Sequence, residues 1–93
     1  MKRELVTVIG RVQGVGLRDA IVALAREFTV TGTVRNLRGE RAVEIDVEGE
    51  PSALDAFIAQ LTPRRLALAR IDSLTRHELP PSGHKTFQKA PTL

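Results

Sequence analysis

Residues 29–49, TVTGTVRNLRGERAVEIDVEG, hold the pattern from which the fold follows. In the first part Val30, Gly32 and Val34 alternate with Thr29, Thr31, Thr33 and Arg35, the period of two that a β-strand imposes by turning successive side chains to opposite faces. Arg41 to Gly49 alternates more strictly, with Val43, Ile45 and Val47 on one face and Glu44, Asp46 and Glu48 on the other. A strand of this kind fits an antiparallel sheet with one buried and one solvated face. Between the two, Leu37-Arg38-Gly39-Glu40 is a loop of hairpin length, so the strands are antiparallel neighbours.

Upstream, Leu5 to Val12 reads as a strand rich in β-branched residues, with apolar side chains on both faces, as expected in the middle of a sheet. From Asp19 the period changes. Ile21, Leu24, Ala25 and Phe28 follow at i, i+3, i+4 and i+7, the stripe of an amphipathic helix. Downstream, Glu50-Pro51-Ser52 opens a second helix, striped by Leu54, Phe57, Ile58 and Leu61 and closed by Thr62-Pro63. Ser52 and Asp55 have the spacing of a capping box there. Leu68 to Glu78 and Lys85 to Lys89 are expected strands, joined through Pro80-Pro81-Ser82-Gly83. The order β-α-β-β-α-β specifies an α+β, ferredoxin-like sandwich: an antiparallel sheet with two helices on one face, plus a short C-terminal strand.

Residues 1–93 are expected to form a single domain. The absence of cysteine excludes disulfides, thiol nucleophiles, Fe–S clusters and zinc ribbons, leaving packing to hold the chain together. Phe28, Phe57 and Phe87 are its three aromatics and are expected in the core. No apolar run reaches the roughly 18–20 residues of a membrane span, and no signal-peptide core follows Met1. A cytoplasmic location, no membrane partner and a monomer are expected. The net charge of +3, from 14 Lys and Arg against 11 Asp and Glu, suits a small anion without specifying one. Nucleic acid is disfavoured as a partner. Sheets of this class that bind RNA stack bases on aromatics, and here the third strand offers Glu44, Asp46 and Glu48. Those three carboxylates are expected to be solvated, as are His77, His84, Arg64 and Arg65.

Chemistry concentrates in Gly10-Arg11-Val12-Gln13-Gly14-Val15-Gly16-Leu17-Arg18, a strand running through a tight loop into a helix. Gly14 and Gly16 permit positive φ, so that consecutive backbone N–H groups can curl around an anion at a helix N-terminus. Arg18 adds a planar fork of donors suited to phosphate. No Gly-Lys-Ser/Thr step occurs, and Asp19 stands where a dinucleotide fingerprint needs its third glycine, so nucleotide loops of both kinds are excluded. Taken bare, the glycines also fit a tight βα turn with no ligand.

As a whole the segment resembles the signature of the acylphosphatase family, and Thr31-Gly32-Thr33-Val34-Arg35-Asn36 resembles that family's second motif, Thr-Gly-x-Val-Arg-Asn. The likeness runs from about residue 4 to residue 89, and Leu68 to Leu74 is similar to the acylphosphatase-like domain of the hydrogenase-maturation carbamoyltransferase. The resemblance implies hydrolysis of an acyl phosphate to carboxylate and inorganic phosphate, with no metal and no cofactor. Arg18 then falls on the catalytic arginine and grips the phosphate with the N–H groups of Gln13, Gly14, Val15, Gly16, Leu17 and Arg18 itself. Asn36 falls on the catalytic asparagine that orients the attacking water.

Two positions depart from the pattern. Leu17 replaces the usual Phe, and Asp19 stands where the family often has an aromatic, a proline or another neutral residue. A carboxylate there can pair with Arg18, repel the incoming phosphate, or point outward as a helix cap. The alternative function is therefore a phosphate-binding module with little or no turnover, related to the carbamoyltransferase domain or serving in protein interaction.

Overall fold

A computed structural model describes residues 1–11, 16–38, 41–68 and 70–92. Along the chain come β1 (Lys2–Arg11), α1 (Leu17–Ala25), β2 (Val30–Asn36), β3 (Ala42–Gly49), α2 (Pro51–Ala59), α3 (Pro63–Leu66), β4 (Arg70–Leu79) and β5 (Phe87–Lys89). The sheet has the order β4-β1-β3-β2-β5. β1 lies antiparallel between β3 and β4, and β2 lies antiparallel to β3. This is the ferredoxin-like α+β sandwich that the alternation of residues 29–49 specifies. The last strand changes one detail: β5 runs parallel to β2, so the sheet is mixed rather than wholly antiparallel.

The core lies between the valine-bearing face of the sheet and the helices. Val6 faces Ile45, Val8 faces Val43, and Val34 faces Ile45 from the other side. Ile21 and Leu24 of α1, with Leu54 and Phe57 of α2, close over them, all at most 3% exposed. Burying each such side chain contributes about 1.5–3 kcal/mol. Phe57 meets Phe28 and Phe87 edge to face, at centroid separations of 6.1 and 5.9 Å, so all three aromatics serve packing. Gly32 has to be glycine, because a Cβ there would overlap the carbonyl oxygen of Asp46 across the β2–β3 pair.

Three expectations are corrected. The capping box at Ser52 does not form: Pro51 takes the first helical position, Glu50 becomes the N-cap without a side-chain bond, and Asp55 turns to Arg76. Proline fixes the φ that starts a helix, which sets the boundary one residue ahead of Ser52. Second, α2 ends at Ala59 with Gln60 as its C-cap, and Thr62-Pro63 begins α3 instead of closing α2. Thr62 Oγ1 accepts from Arg65 N–H at 3.3 Å, and the Arg65 guanidinium meets Glu27 at 2.7 Å instead of standing free in solvent.

Third, the acidic face of β3 is not a solvated one. Arg3 of β1 donates to both oxygens of Asp46, at 2.8 and 2.6 Å, and Arg35 of β2 bonds Glu44 at 2.9 Å. Glu48 is 2% exposed and accepts the backbone N–H groups of Gly83 and His84 at 3.0 and 3.1 Å. His84 is thereby drawn in, its Nε2 at 3.2 Å from Asp46 Oδ1, whereas His77 is exposed as expected. The hydrogen bonds from Arg3 hold the Asp46 carboxyl below its ordinary range, against the opposing effect of burial. The cause is register. Arg35 lies directly opposite Glu44 and Arg3 directly opposite Glu48, and the segment after β4 folds back over the same face.

Candidate functional site

Strand direction decides which residues meet. β1 and β2 are each antiparallel to β3, hence parallel to one another, and their C-terminal ends lie at the same edge of the sheet. At that edge Gly10 N–H donates to the Arg41 carbonyl at 3.0 Å and Leu37 N–H to the Ala42 carbonyl at 3.0 Å, so both ends flank the start of β3. β5, parallel to β2, finishes there too, with Ala90 N–H donating to the Val34 carbonyl at 2.8 Å. The ends of parallel strands that feed helices are where α/β architectures expose backbone donors to ligands.

The helix that rises from this edge begins at Gly16, whose φ of 102° and ψ of 6° place it in the left-handed region. Any other residue would be strained there. The Gly16 carbonyl accepts the first helical bond, from Ala20 N–H at 2.9 Å, and no side chain caps the turn. The N–H groups of Leu17, Arg18 and Asp19 thus have no intrahelical partner and carry the positive end of the helix dipole. Leu17 packs against the core.

Arg18, half-buried in the first turn, donates from Nη1 to the Ala90 carbonyl at 3.2 Å. A guanidinium has five N–H donors in a fixed fork, so one contact holds it while leaving the rest of the fork for a ligand. Asn36 ends β2 opposite Val43 and is half-buried. Because Ala90 is bonded to Val34, two residues before Asn36, the acceptor of Arg18 and the asparagine occupy one corner of the sheet. Of the expected loop donors, Gly16, Leu17 and Arg18 are placed by the structure, whereas Gln13, Gly14 and Val15 lie outside the described residues.

Asp19 supplies no side-chain cap to the first turn. It does not pair with Arg18; its Oδ1 lies 2.9 Å from Nζ of Lys89 in β5. Lys89 and Ala90 are residues of this corner that sequence reasoning missed. A three-residue strand shows no periodicity that would say which helix it faces. The available signal was Asp19 itself, a negative charge beside the one arginine of a phosphate loop, which calls for a cation nearby.

Known proteins are similar to this chain in sequence and fold. The family model described as acylphosphatase matches residues 5–89. An acylphosphatase from Methanospirillum hungatei is 36% identical over 87 residues, spanning 94% of this chain and 94% of its own. One from Methylococcus capsulatus is 42% identical over 86 residues, spanning 92% and 91%. Among solved structures, the acylphosphatase from Bacillus subtilis superposes with a TM-score of 0.79 at 28% identity, over 97% of this chain and 99% of that one. HypF from T. kodakarensis matches with a TM-score of 0.82 at 36% identity, over 99% of this chain but 12% of that much longer one.

Proposed function

Because the chain belongs to the acylphosphatase family, we propose that its own residues hydrolyse an acyl phosphate to carboxylate and inorganic phosphate, with Arg18 and Asn36 as the catalytic pair. The observation that carries this reading is the corner itself. An uncapped first turn and a half-buried arginine stand at the end of the sheet to which β2 delivers Asn36.

The substrate phosphate sits against the N–H groups of the loop and first turn, residues 13–18, and takes two further donors from the Arg18 fork. The Asn36 amide holds a water in line with the bond to be broken. The water oxygen bonds to phosphorus, the P–O bond to the acyl group breaks, and its electron pair leaves with the carboxylate. The water's proton passes to a phosphate oxygen. A carboxylate departs without a general acid, so positioning and charge stabilisation are all the protein supplies. Fixed N–H dipoles and a guanidinium need no reorganisation as charge develops, and losing one such donor costs on the order of 10²–10³ in rate.

Hydrolysis of a synthetic acyl phosphate in the presence of a chelator tests the reading. Turnover should persist with chelator, and Arg18→Ala and Asn36→Ala should each lower kcat at least ~10²–10³-fold with the far-UV circular dichroism retained. Activity surviving in either variant overturns the assignment. Phosphate binding without turnover in the wild type would favour the non-catalytic module, a reading raised by the match to one segment of HypF.

A further inference from the structure

We infer that Asp19 and Lys89 form a strap that positions the Arg18 guanidinium, an inference that rests on the catalytic role proposed for Arg18. Two consecutive residues of α1 are held by two consecutive residues at the end of β5: Asp19 by the Lys89 ammonium at 2.9 Å, and Arg18 by the Ala90 carbonyl at 3.2 Å. Leu17 against the core holds the turn from below, and a single further contact would fix only one of its outward residues. Two contacts on adjacent residues fix both the position and the roll of the turn.

β5 is able to serve as the anchor. Its backbone is bonded to β2 at both ends, through Gly32 N–H to Thr86 O at 2.8 Å and Ala90 N–H to Val34 O at 2.8 Å. Phe87, 7% exposed and edge to face with Phe57, ties it to the core. In a strand, side chains two apart share a face. The burial of Phe87 therefore turns Lys89 toward the helices and brings its ammonium to α1. The first turn of α1 is otherwise held, among the described residues, by Leu17 against the core, and it starts on a glycine without a side-chain cap.

The pairing also decides the electrostatics at Arg18. Alone, Asp19 would place a full negative charge next to the guanidinium that has to receive a dianion. Bonded to Lys89 it belongs to a neutral pair, and the charge of Arg18 is left for the substrate. Asp19 is therefore a positioning residue and no handicap to phosphate binding. The side chains of Lys89 and Asp19 are 48% and 69% exposed, so the pair adds little to stability and its effect is read in catalysis.

This differs in sign from simple repulsion. If Asp19 only repelled phosphate, Asp19→Asn would lower KM and leave kcat alone. The strap requires kcat to fall by roughly fivefold in Asp19→Asn and in Lys89→Gln, near the ceiling for an exposed ion pair, with KM moving less than about twofold. The double variant should fall no further than either single one, and Lys89→Arg should keep most of kcat. Unchanged or raised kcat in Asp19→Asn, or multiplied losses in the double variant, overturns the strap.

A second readout needs no turnover. The ¹⁵N signals of the Arg18 guanidinium, assigned by their loss in Arg18→Ala, should shift and show faster rotation in Asp19→Asn and Lys89→Gln. Signals identical to wild type overturn the strap even if the chain hydrolyses nothing. Wild-type turnover that is lost in Arg18→Ala would leave the proposed function standing whatever becomes of the strap.

Discussion

Each long helix of this domain is tied through an aspartate to a cation on an edge strand of the sheet. Asp19 of α1 meets Lys89 of β5 at 2.9 Å, and Asp55 of α2 meets Arg76 of β4 at 2.8 Å. The ties look alike and do different work. Arg76 also grips Glu4 of β1 through both carboxylate oxygens, each at 2.7 Å, and Glu4 is 3% exposed on the core side of the sheet. Lys89 instead reaches an exposed carboxylate next to the arginine of the candidate site. A third, buried partner turns one tie into a structural member. Among the described residues the other tie has no such partner, which leaves it to serve a site at little cost to the fold.

The comparison breaks most visibly at β4. Among the described residues, Arg76→Met leaves the buried Glu4 carboxylate with only the Lys2 ammonium, at 3.7 Å. Removing one partner of a fully buried pair costs about 3–5 kcal/mol. The Arg76 side chain is 37% exposed, so water takes over part of its role. The expected loss is about 2–3 kcal/mol in urea denaturation at neutral pH. Because α2 does not carry the site, kcat on an acyl phosphate should stay within about twofold. A stability loss below about 0.5 kcal/mol would mean that the two ties are equivalent after all.

Acid sharpens the same contrast. The hydrogen bonds from Arg76 hold Glu4 below its ordinary 4.5 and Asp55 below its ordinary 3.8, in each case against desolvation. Carboxyls depressed in the folded state stabilise it fully above their unfolded values, and that contribution is lost as pH falls through the folded ones. Wild-type stability should therefore decline below pH 4.5, with Asp46, held down by Arg3, adding to the decline. In Arg76→Met the sign for Glu4 reverses. With only the distant Lys2 left, desolvation outweighs the remaining attraction and raises the carboxyl, so its penalty is greatest at neutral pH and eases in acid. Denaturation curves of the two proteins should approach each other, with more than about half the neutral-pH gap gone by roughly pH 3. A gap that stays constant with pH would remove Glu4 as its source.

How much of this was legible in sequence depends on how far apart the partners lie. Alternation at Val43, Ile45 and Val47 needs no distant information, and with the helical stripes it specifies the sandwich. The motifs that nominate Arg18 and Asn36 as site candidates are short and local, so they too can be read from sequence. Contacts made across the fold were not. That Glu44 faces Arg35 follows from register, which a loop of hairpin length does not by itself disclose. Arg3 reaches Asp46 from 43 positions away, and Arg76 reaches Glu4 from 72. Period two announces two faces; it does not say what will cover them. Ser52 and Asp55 failed as a capping box partly for the same reason, since Asp55 turns to Arg76 21 positions away, and partly for a local one, since Pro51 takes the first helical position.

The smallest effect lies where the helices begin. α2 starts on Glu50 in extended conformation, with Pro51 supplying the φ of the first turn and removing one N–H donor. α1 starts on left-handed Gly16 and keeps its donors, which is what a phosphate site requires. Gly16→Ala meets no atom within 4 Å, so its penalty is conformational alone. Holding alanine in that region costs about 1–2 kcal/mol. The backbone can meet this in two ways. It can keep its angles, losing about 1 kcal/mol of stability with kcat intact, or relax out of the left-handed region and carry Arg18 away from Ala90, losing kcat instead. The two contacts to β5 resist the second course, so the first is expected in the wild-type background. In Lys89→Gln, where one of those contacts is gone, the balance should move toward lost kcat. If Gly16→Ala changes neither quantity in either background, the start of α1 is not under the constraint that sets it apart from α2.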